Sequence, residues 1–396
     1  MQRRHISAVS NIALTLHPSI HEIAGAAWDA CAGTAENPFI SHAFLSALED
    51  SRSVGPRTGW QPRHAALRDG AGDLLAVVPM YVKSHSYGEY VFDHAWAHAF
   101  ERAGGRYYPK LQVAVPFSPV PGPRLLIRAG SGVDAAALAA ALVAACREDG
   151  LSSVHVTFCA EAEWRALGAA GWLQRQGVQF HWHNEGYRSF EDFLAALASR
   201  KRKTIRRERR EALGAGLTFA TLAGSEIAER HWDAFYRFYL ATIERKWGGA
   251  YLTRRFFSLL AERLGDKVVL MLALHQGRPV AGALNLRGAS ALYGRNWGVL
   301  GDWPFLHFEL CYYQAIDFAI AHGLARVEAG AQGEHKLARG YLPAPTYSAH
   351  WIAHPGLRRA IGDFLEAERL AVAAEARALG TLSPFRRAGG EDTEPP

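Results

Sequence analysis

The sequence has little cysteine and none of it is in paired spacing. Four cysteines occur in 396 residues, too far apart for a disulfide framework or a zinc site. They are Cys31, Cys146, Cys159 and Cys311. We therefore expect reduced, buried thiols and a cytoplasmic protein.

Long apolar runs are also missing. The longest Ala-rich stretch, 135–146, lies between Asp134 and Arg147 and predicts a buried helix. The N-terminus is basic but has no sustained apolar segment, so we predict no signal peptide and no transmembrane segment. Hydrophobic residues make up 49% and charged residues 21% of the chain, which is typical of a globular protein.

The positive charge is concentrated in one place. Residues 200–211, RKRKTIRRERRE, hold eight basic and two acidic residues, a net charge of +6. Because the whole chain also carries +6, the remainder is neutral on balance. This pattern indicates a local basic patch rather than a generally basic protein.

The order of predicted elements repeats along the chain. A helix over 38–50 precedes a strand–turn–strand pattern over 63–83. A second helix over 253–265 precedes a second such hairpin over 266–288. The repetition, together with the length, predicts a duplicated α/β domain.

We place the domain boundary near residue 178. The expected N-terminal domain covers 10–177 and the C-terminal domain covers 178–380. The second begins with a long helix over 189–213, capped by Ser189 and basic in its second half. Residues 381–396 have the composition of a disordered tail.

The segment from 289 to 341 carries the most information. It predicts a strand over 290–299, a helix over 305–323 and a strand over 324–332. The last strand leads into Glu334, His335 and Lys336. In open α/β sheets ligands commonly bind at such strand exits, so we predict an active-site loop there.

Several segments resemble a known family. They are NPFISHAFLSALE, LHFELCYYQAIDFAI and GAQGEHKLARGYLPAPTYSAHWI, and the similarity extends over roughly 30–370. The chain is similar to the FemAB-like bacterial family associated with peptidoglycan biosynthesis/recognition, within the GNAT superfamily. The resemblance implies mixed α/β sheets in two tandem GNAT-like (acyl-CoA N-acyltransferase) domains, linked here by the basic helix.

The resemblance also implies a reaction, in which an acyl or aminoacyl group is transferred to an amine such as that of a peptidoglycan precursor. The co-substrate is either acyl-CoA or aminoacyl-tRNA, with no tightly bound cofactor and no metal. The segment RNWGVL matches the GNAT pyrophosphate loop only in part: it supplies Arg295 and Gly298, while Gly301 comes one position late. Both donors therefore remain open, and Gly298 and Gly301 are candidate donor contacts.

Acyl transfer to an amine needs a base, since a free alkylamine is mostly protonated at neutral pH. Glu334 and His335 are the candidate bases, and Lys336 is a candidate to bind an anionic group. In an extended segment Glu334 and Lys336 would share one face, with His335 on the other. A charged surface turn is the alternative interpretation.

Glu309 is a further catalytic candidate because it lies on the apolar stripe of its helix, where burial would raise its pKa. The alternative is a structural acid paired with an arginine or a tyrosine, and Arg295 is the partner that the sequence offers. Arg295 ends the preceding strand and is a candidate substrate contact.

Two more groups complete the predicted site. Polar and aromatic residues of the first domain suit a pocket for a sugar, peptide or amino acid. They are Tyr87, Glu89, Tyr90, Asp93, Tyr107 and Lys110. One side of the basic helix would face donor phosphates, including those of tRNA. It consists of Lys203, Arg206, Arg207 and Arg210.

Two functions of different class fit these observations. One is an N-acyltransferase or aminoacyltransferase. The other is a GNAT-like module that recognises a cell-wall peptide or glycan without turnover. Catalysis requires Glu334 or His335 at an opening that a substrate can reach.

Overall fold

The structure is a computed structural model that describes residues 4–5, 12–245, 249–330 and 333–386. Its contacts divide the chain into two compact units. The first contains residues 1–177, 251–256 and 345–373, and the second contains 178–250, 257–344 and 374–396. Residues 251–256 and 345–373, expected in the second domain, lie within the first unit.

The first unit contains two antiparallel-rich sheets. Its strands are β1 (Arg4–His5), β2 (Ala13–His17), β3 (Trp60–Pro62), β4 (His64–Arg68), β5 (Leu74–Val78), β6 (Met80–Lys83), β7 (Lys110–Val113), β8 (Leu126–Ile127) and β9 (Ser153–Cys159). Its helices are α1 (Gly25–Ala32), α2 (His42–Asp50), α3 (His94–Arg102), α4 (Ala135–Glu148) and α5 (Glu161–Ala169). One sheet has the order β1-β2-β4-β5-β8, and the other includes β9-β7-β6-β3.

The predicted helix over 135–146 is present as α4. The Asp134 carboxylate caps it by accepting the Ala137 amide at 2.7 Å. Leu138 and Leu142 then fall on one face, one turn apart, and are buried in the core of the first unit. Because that face is covered by protein, the Ala-rich run needs no membrane to stabilise it.

The remaining strands are β10 (Leu173–His183), β11 (Leu217–Ala223), β12 (Val268–His275), β13 (Arg278–Arg287), β14 (Ala291–Val299), β15 (Arg326–Glu328) and β16 (Leu342–Ile352). The remaining helices are α6 (Phe190–Ala196), α7 (Ser199–Gly214), α8 (Glu229–Glu244), α9 (Arg254–Leu264), α10 (Leu306–Phe308), α11 (Gln314–Ala321) and α12 (Pro355–Thr381). A π-helical turn, Glu309–Tyr313, joins α10 to α11.

In the second unit the strands follow the order β11-β12-β13-β14-β15-β10. The predicted hairpin of β12 and β13 turns at Gln276 and Gly277, both with positive φ (51° and 74°). Two positive φ values in a two-residue turn match the twist of the flanking strands. Val269, Leu292 and Val327 point into one apolar core with the helix residue Ile316.

The predicted helix over 189–213 is wrong as a single helix. Ser189 does cap its first part, since the hydroxyl accepts the Asp192 amide at 3.1 Å. The helix is interrupted at Leu197, which is extended (φ −83°, ψ 155°), fully buried and bridged to Phe385. Burial of Leu197 in the core therefore interrupts the helical hydrogen bonding at this residue. The basic residues that follow form a separate helix, α7.

Residues 381–386 of the expected disordered tail are structured. Helix α12 extends to Thr381, and the Arg386 amide donates to the Ala196 carbonyl at 3.1 Å. Residues 387–396 of the expected tail lie outside the described residues.

Candidate active site

Two parallel strands part in the second unit. Strands β14 and β15 pair from Ala291 opposite Arg326 to Tyr293 opposite Glu328. Strand β14 then continues beside β13 to Val299, while its pairing with β15 ends at Glu328. An opening at the carboxyl ends of parallel strands is a common place for a ligand.

A β-bulge marks the place where the strands part. Asn285 of β13 faces Gly294 and its neighbour Leu284 faces Asn296, so Arg295 is an extra residue in β14. A bulge of this kind redirects the side chains that follow it. Burial raises the pKa of the Glu328 carboxyl, and the half-buried Arg295 lies close enough for its charge to oppose that rise.

The Glu-His-Lys segment forms a 3-10 helix, Glu334–Arg339, rather than the extended segment considered above. Gly333 precedes it with φ +113°, a conformation that favours glycine. A Cβ on Gly333 would lie 2.5 Å from Cε1 of His335. The glycine is therefore needed for both the backbone conformation and the space that the imidazole occupies.

His335 presents an exposed imidazole. Its Nε2 lies 2.9 Å from the Tyr312 hydroxyl. In the tautomer whose Nε2–H donates to that hydroxyl, Nδ1 keeps a lone pair. Partial burial of the ring, with the nearby cations Arg339 and Lys336, lowers the pKa of His335 below its ordinary value of 6.5. The imidazole is therefore neutral at pH 7 and can accept a proton.

Lys336 is on the opposite side of the 3-10 helix, with only 2% of its surface exposed. Its Nζ donates to the Gly330 carbonyl at 2.8 Å. Burial lowers the pKa of Lys336 to about 8. The side chain of Glu334, the other predicted base, lies outside the described part of the structure.

Sequence reasoning missed Glu328. Its carboxylate is buried at the point where β14 and β15 part, and Oε1 accepts from Arg326 Nε at 2.9 Å. Its Oε2 has no hydrogen-bond partner among the described residues and lies 4.0 Å from His181 Nε2. Burial raises the pKa of Glu328 and lowers that of His181 to about 3. The signal for Glu328 was available, since it is an acid within the strand predicted over 324–332.

Arg326 connects both strands at the opening. Beyond Glu328 it donates to the Ser290 hydroxyl at 3.1 Å and the Tyr293 hydroxyl at 3.3 Å. Ser290 directly precedes β14 and Tyr293 belongs to it, whereas Arg326 belongs to β15. The guanidinium therefore ties the strands together along their short paired segment.

Glu309 has the geometry of a structural acid. Arg209 Nη2 and Nε bind its two oxygens at 3.0 and 3.2 Å, and Gln314 donates at 2.7 Å. Arg209 also binds Asp317 at 2.7 Å. Burial raises the pKa of Glu309, while Arg209 opposes the shift. This arrangement matches the alternative interpretation of Glu309, with Arg209 as its arginine.

The predicted donor-binding glycines have packing roles. A Cβ on Gly298 would lie 2.2 Å from the backbone of Phe238, so this glycine lets α8 approach β14. Gly301 has φ +80° in the turn after β14. Its neighbour Trp303 donates to the Leu300 carbonyl at 2.9 Å.

The four predicted phosphate-facing cations of α7 are all exposed: Lys203, Arg206, Arg207 and Arg210. Arg206 pairs with Glu191, and Arg207 lies 3.6 Å from Glu211. Two of the four charges are thus partly neutralised on the surface.

In the first unit, the predicted substrate residues separate into two groups. Glu89, Asp93, Tyr107 and Lys110 are buried in one network. Lys110 Nζ donates to both acids, and the Tyr107 hydroxyl donates to Asp93 at 2.7 Å. Tyr87 and Tyr90 are 60% and 37% exposed. The network accounts for the first four residues without a ligand, and a ligand can reach only the two exposed tyrosines of the set.

The described residues contain no helix with the length and apolarity that crossing a bilayer requires. None of their His, Cys, Asp and Glu side chains gather in threes as a metal site.

The fold is similar to that of several solved proteins. The C-terminal domain of a putative lysylphosphatidylglycerol synthetase from Agrobacterium fabrum aligns with a TM-score of 0.53 at 9% identity, covering 88% of this chain and 97% of that one. FemX aligns with a TM-score of 0.52 at 12% identity, covering 91% of this chain and 100% of that one. A tandem GNAT protein from the clavulanic acid biosynthesis pathway aligns with a TM-score of 0.47 at 11% identity, covering 87% of this chain and 99% of that one. The predicted mixed α/β, tandem GNAT-like fold is confirmed.

No curated protein matches the chain significantly. The model of the FemAB-like family, described as peptidoglycan biosynthesis/recognition, matches residues 19–387, which is nearly the whole sequence. The resemblance noted in the sequence is thereby confirmed, and the chain belongs to the FemAB-like family.

Proposed function

We propose that the protein is an acyltransferase that moves an acyl or aminoacyl group from acyl-CoA or aminoacyl-tRNA to an amine, with a peptidoglycan precursor as the acceptor class. The observation that carries this proposal is the exposed, neutral imidazole of His335 on the 3-10 helix that follows β15 in the chain. A base that is unprotonated at neutral pH and accessible to the substrate is what amine acylation needs.

In the proposed reaction the amine nitrogen attacks the carbonyl carbon of the donor. His335 Nδ1 takes the proton that the amine loses as the new amide bond forms. The bond from the carbonyl carbon to the thiol sulfur of CoA, or to the 3′ oxygen of tRNA, breaks, and the leaving group receives the proton. No covalent enzyme intermediate is required.

Neighbouring residues keep His335 ready for this role. Tyr312 orients the ring through Nε2, and burial raises the pKa of Tyr312 so that its hydroxyl stays protonated. Lys336 and Arg339 favour the neutral imidazole through their charges. Arg339 also donates to the His335 carbonyl at 2.7 Å, which fixes the backbone of the candidate base.

Incubation of the purified full chain with acetyl-CoA, longer acyl-CoAs and charged tRNA, each with a panel of amines that includes a peptidoglycan stem peptide, tests the proposal. Mass spectrometry of the amide product reports turnover and identifies the donor. If no donor is consumed, the recognition module without turnover is the better interpretation.

His335→Ala is expected to reduce kcat roughly 10²–10⁴-fold, the usual contribution of general-base catalysis, with folding preserved. The matched control is His322→Ala, because His322 is also exposed and binds only within its own helix end, at Phe318. An unchanged rate in His335→Ala would remove His335 as the base.

The pH profile gives a second readout. Because the base form is needed, the wild-type rate should rise with pH and reach half its plateau at the lowered pKa of His335, below pH 6.5. The residual rate of His335→Ala should lack this rise with pH.

A further inference from the structure

A polar cavity of about 360 Å³ lies between α7 and the 3-10 helix that carries His335. Its volume is at the lower end of the range of about 300–1,000 Å³ that small-molecule sites occupy. Arg200, Lys201 and Thr204 of α7 line one side, and Arg339 lines the other. These α7 residues differ from the exposed set that the sequence suggested for donor phosphates.

At the deep end of the cavity the charged side chains already pair with each other. Arg339 binds Glu208 through Nη2 at 2.7 Å and Nε at 3.2 Å, and it stacks 3.4 Å from the centre of the Phe308 ring. Glu208 also accepts from the Tyr313 hydroxyl. Both charged groups are buried, so this pair forms a rigid and internally neutral floor.

The cations nearer the surface, in contrast, lack an acidic partner among the described residues. No acid in the described ranges pairs with Arg200 or Lys201, although both line the cavity. Three cations and one carboxylate in the lining leave a net charge of +2. A cavity that is polar, closed on its deep side and positively charged is suited to an anion.

The position of these cations in α7 is independent evidence. The helix begins at Ser199, so Arg200 and Lys201 are in its first turn, where the macrodipole disfavours positive charge. That turn contains no acid, and Ala198 provides no side-chain cap. An anion in the cavity would offset both unfavourable features.

We infer that this cavity is a phosphate subsite, which holds a phosphate or diphosphate ester of the acyl donor between Arg200, Lys201 and the edge of Arg339. The inference rests on the proposed function for the identity of the ligand as donor. Arg339 joins the subsite to the candidate base, because it contacts the His335 carbonyl at 2.7 Å. A donor anchored there would have its phosphates beside the 3-10 helix that carries the base.

Binding of inorganic pyrophosphate to the full chain, measured by calorimetry at matched ionic strength, tests the subsite. The double variant Arg200→Ala with Lys201→Ala should weaken binding at least about tenfold, because it removes two charge-assisted contacts. The control is Lys203→Ala with Arg210→Ala, which removes the same charges from the exposed face of the same helix. It should weaken binding by less than about threefold, because neither residue lines the cavity and salt screens their more distant charges.

Thermal unfolding separates this result from a folding defect. Without anion, the Arg200/Lys201 variant should unfold at the same or a higher temperature than wild type, because two cations have left the positive end of a helix. With pyrophosphate, wild type should gain stability and the variant should not. Absence of pyrophosphate binding to wild type, or equal weakening by both double variants, would overturn the inference.

Competition against bound pyrophosphate identifies the source of the phosphate. Displacement by CoA assigns the subsite to the CoA pyrophosphate, and displacement by a CCA-ended RNA oligonucleotide assigns it to the tRNA end. Displacement by neither contradicts the inference. A chain that binds pyrophosphate in this way but transfers no acyl group would contradict the proposed function and leave the phosphate subsite intact.

Discussion

Two buried lysines, one in each unit, behave in opposite ways. Lys110 in the first unit and Lys336 in the second are 0% and 2% exposed. Burial by itself lowers the pKa of Lys110, but Glu89 and Asp93 outweigh it and the net shift is upward. Burial also lowers the pKa of Lys336, and there the shift remains, to about 8.

The difference lies in the partners. Lys110 donates to Ser86 and Glu89 at 2.8 Å each, and to Asp93. Lys336 donates to one backbone carbonyl, and no acid pairs with it among the side chains that the structure describes. A buried charge with partners is a structural element, whereas one without them is a candidate for function. The first-unit network thus has the partners of a structural element, and the 3-10 helix is where we propose the chemistry.

The largest expected effect is in the first unit. Lys110→Met should lower the free energy of unfolding by about 3–5 kcal/mol, because it leaves Glu89 and Asp93 buried without their main cation. Urea unfolding followed by circular dichroism measures the loss.

Lys83→Met is the matched control for Lys110→Met. Lys83 is equally buried, but burial lowers its pKa to about 7 and its Nζ is 3.8 Å from Glu89. Its replacement should therefore cost clearly less than that of Lys110. Equal losses would show that burial, rather than pairing, decides the energetics of these lysines.

The second effect concerns the pH dependence of stability. The pKa of Lys336 is about 8 in the folded chain and near 10.5 when unfolded, so between these values the unfolded chain binds more protons. Wild type should therefore gain stability relative to Lys336→Met as pH rises from 8 to 10.5, by on the order of 3 kcal/mol.

Urea unfolding at several pH values between 7.5 and 10.5 measures this difference. Lys203→Met serves as the control, because Lys203 is exposed and should show no such window. A flat difference between wild type and Lys336→Met would mean that Lys336 is not held in a desolvating site.

The smallest effect tests the structural interpretation of Glu309. Glu309→Gln should lower the free energy of unfolding by about 1–3 kcal/mol, because Arg209 loses one of its two charged partners. The rate of acyl transfer should stay within a few-fold of wild type. A loss of turnover as large as that of His335→Ala, with stability unchanged, would restore Glu309 to the chemistry.

Much of the secondary structure was predictable because its causes are local. The Asp134 cap predicts α4, the Gln276–Gly277 turn predicts the hairpin, and the alternation of Val327 with its polar neighbours predicts β15. The break at Leu197 was not predictable. It depends on a backbone bridge to Phe385, a residue far away in the sequence.

The candidate site divides in the same way. The sequence drew attention to His335 and Lys336 because titratable residues fenced by glycines follow a predicted strand. It could not show that one is exposed and the other buried, because the 3-10 helix turns them to different sides. The sequence pattern did not single out Glu328. That residue becomes a candidate because its carboxylate is buried where the pairing of β14 and β15 ends.

The sequence by itself determined the family, the tandem fold and the concentration of positive charge in α7, because motifs, turns and composition are written in consecutive residues. Only the tertiary structure decided which charges are paired. Arg209 binds Glu309 and Arg339 binds Glu208, while Arg200 and Lys201 face a cavity. Pairing depends on distances of a few ångströms between residues up to 131 positions apart, and the local pattern of a sequence does not contain those distances.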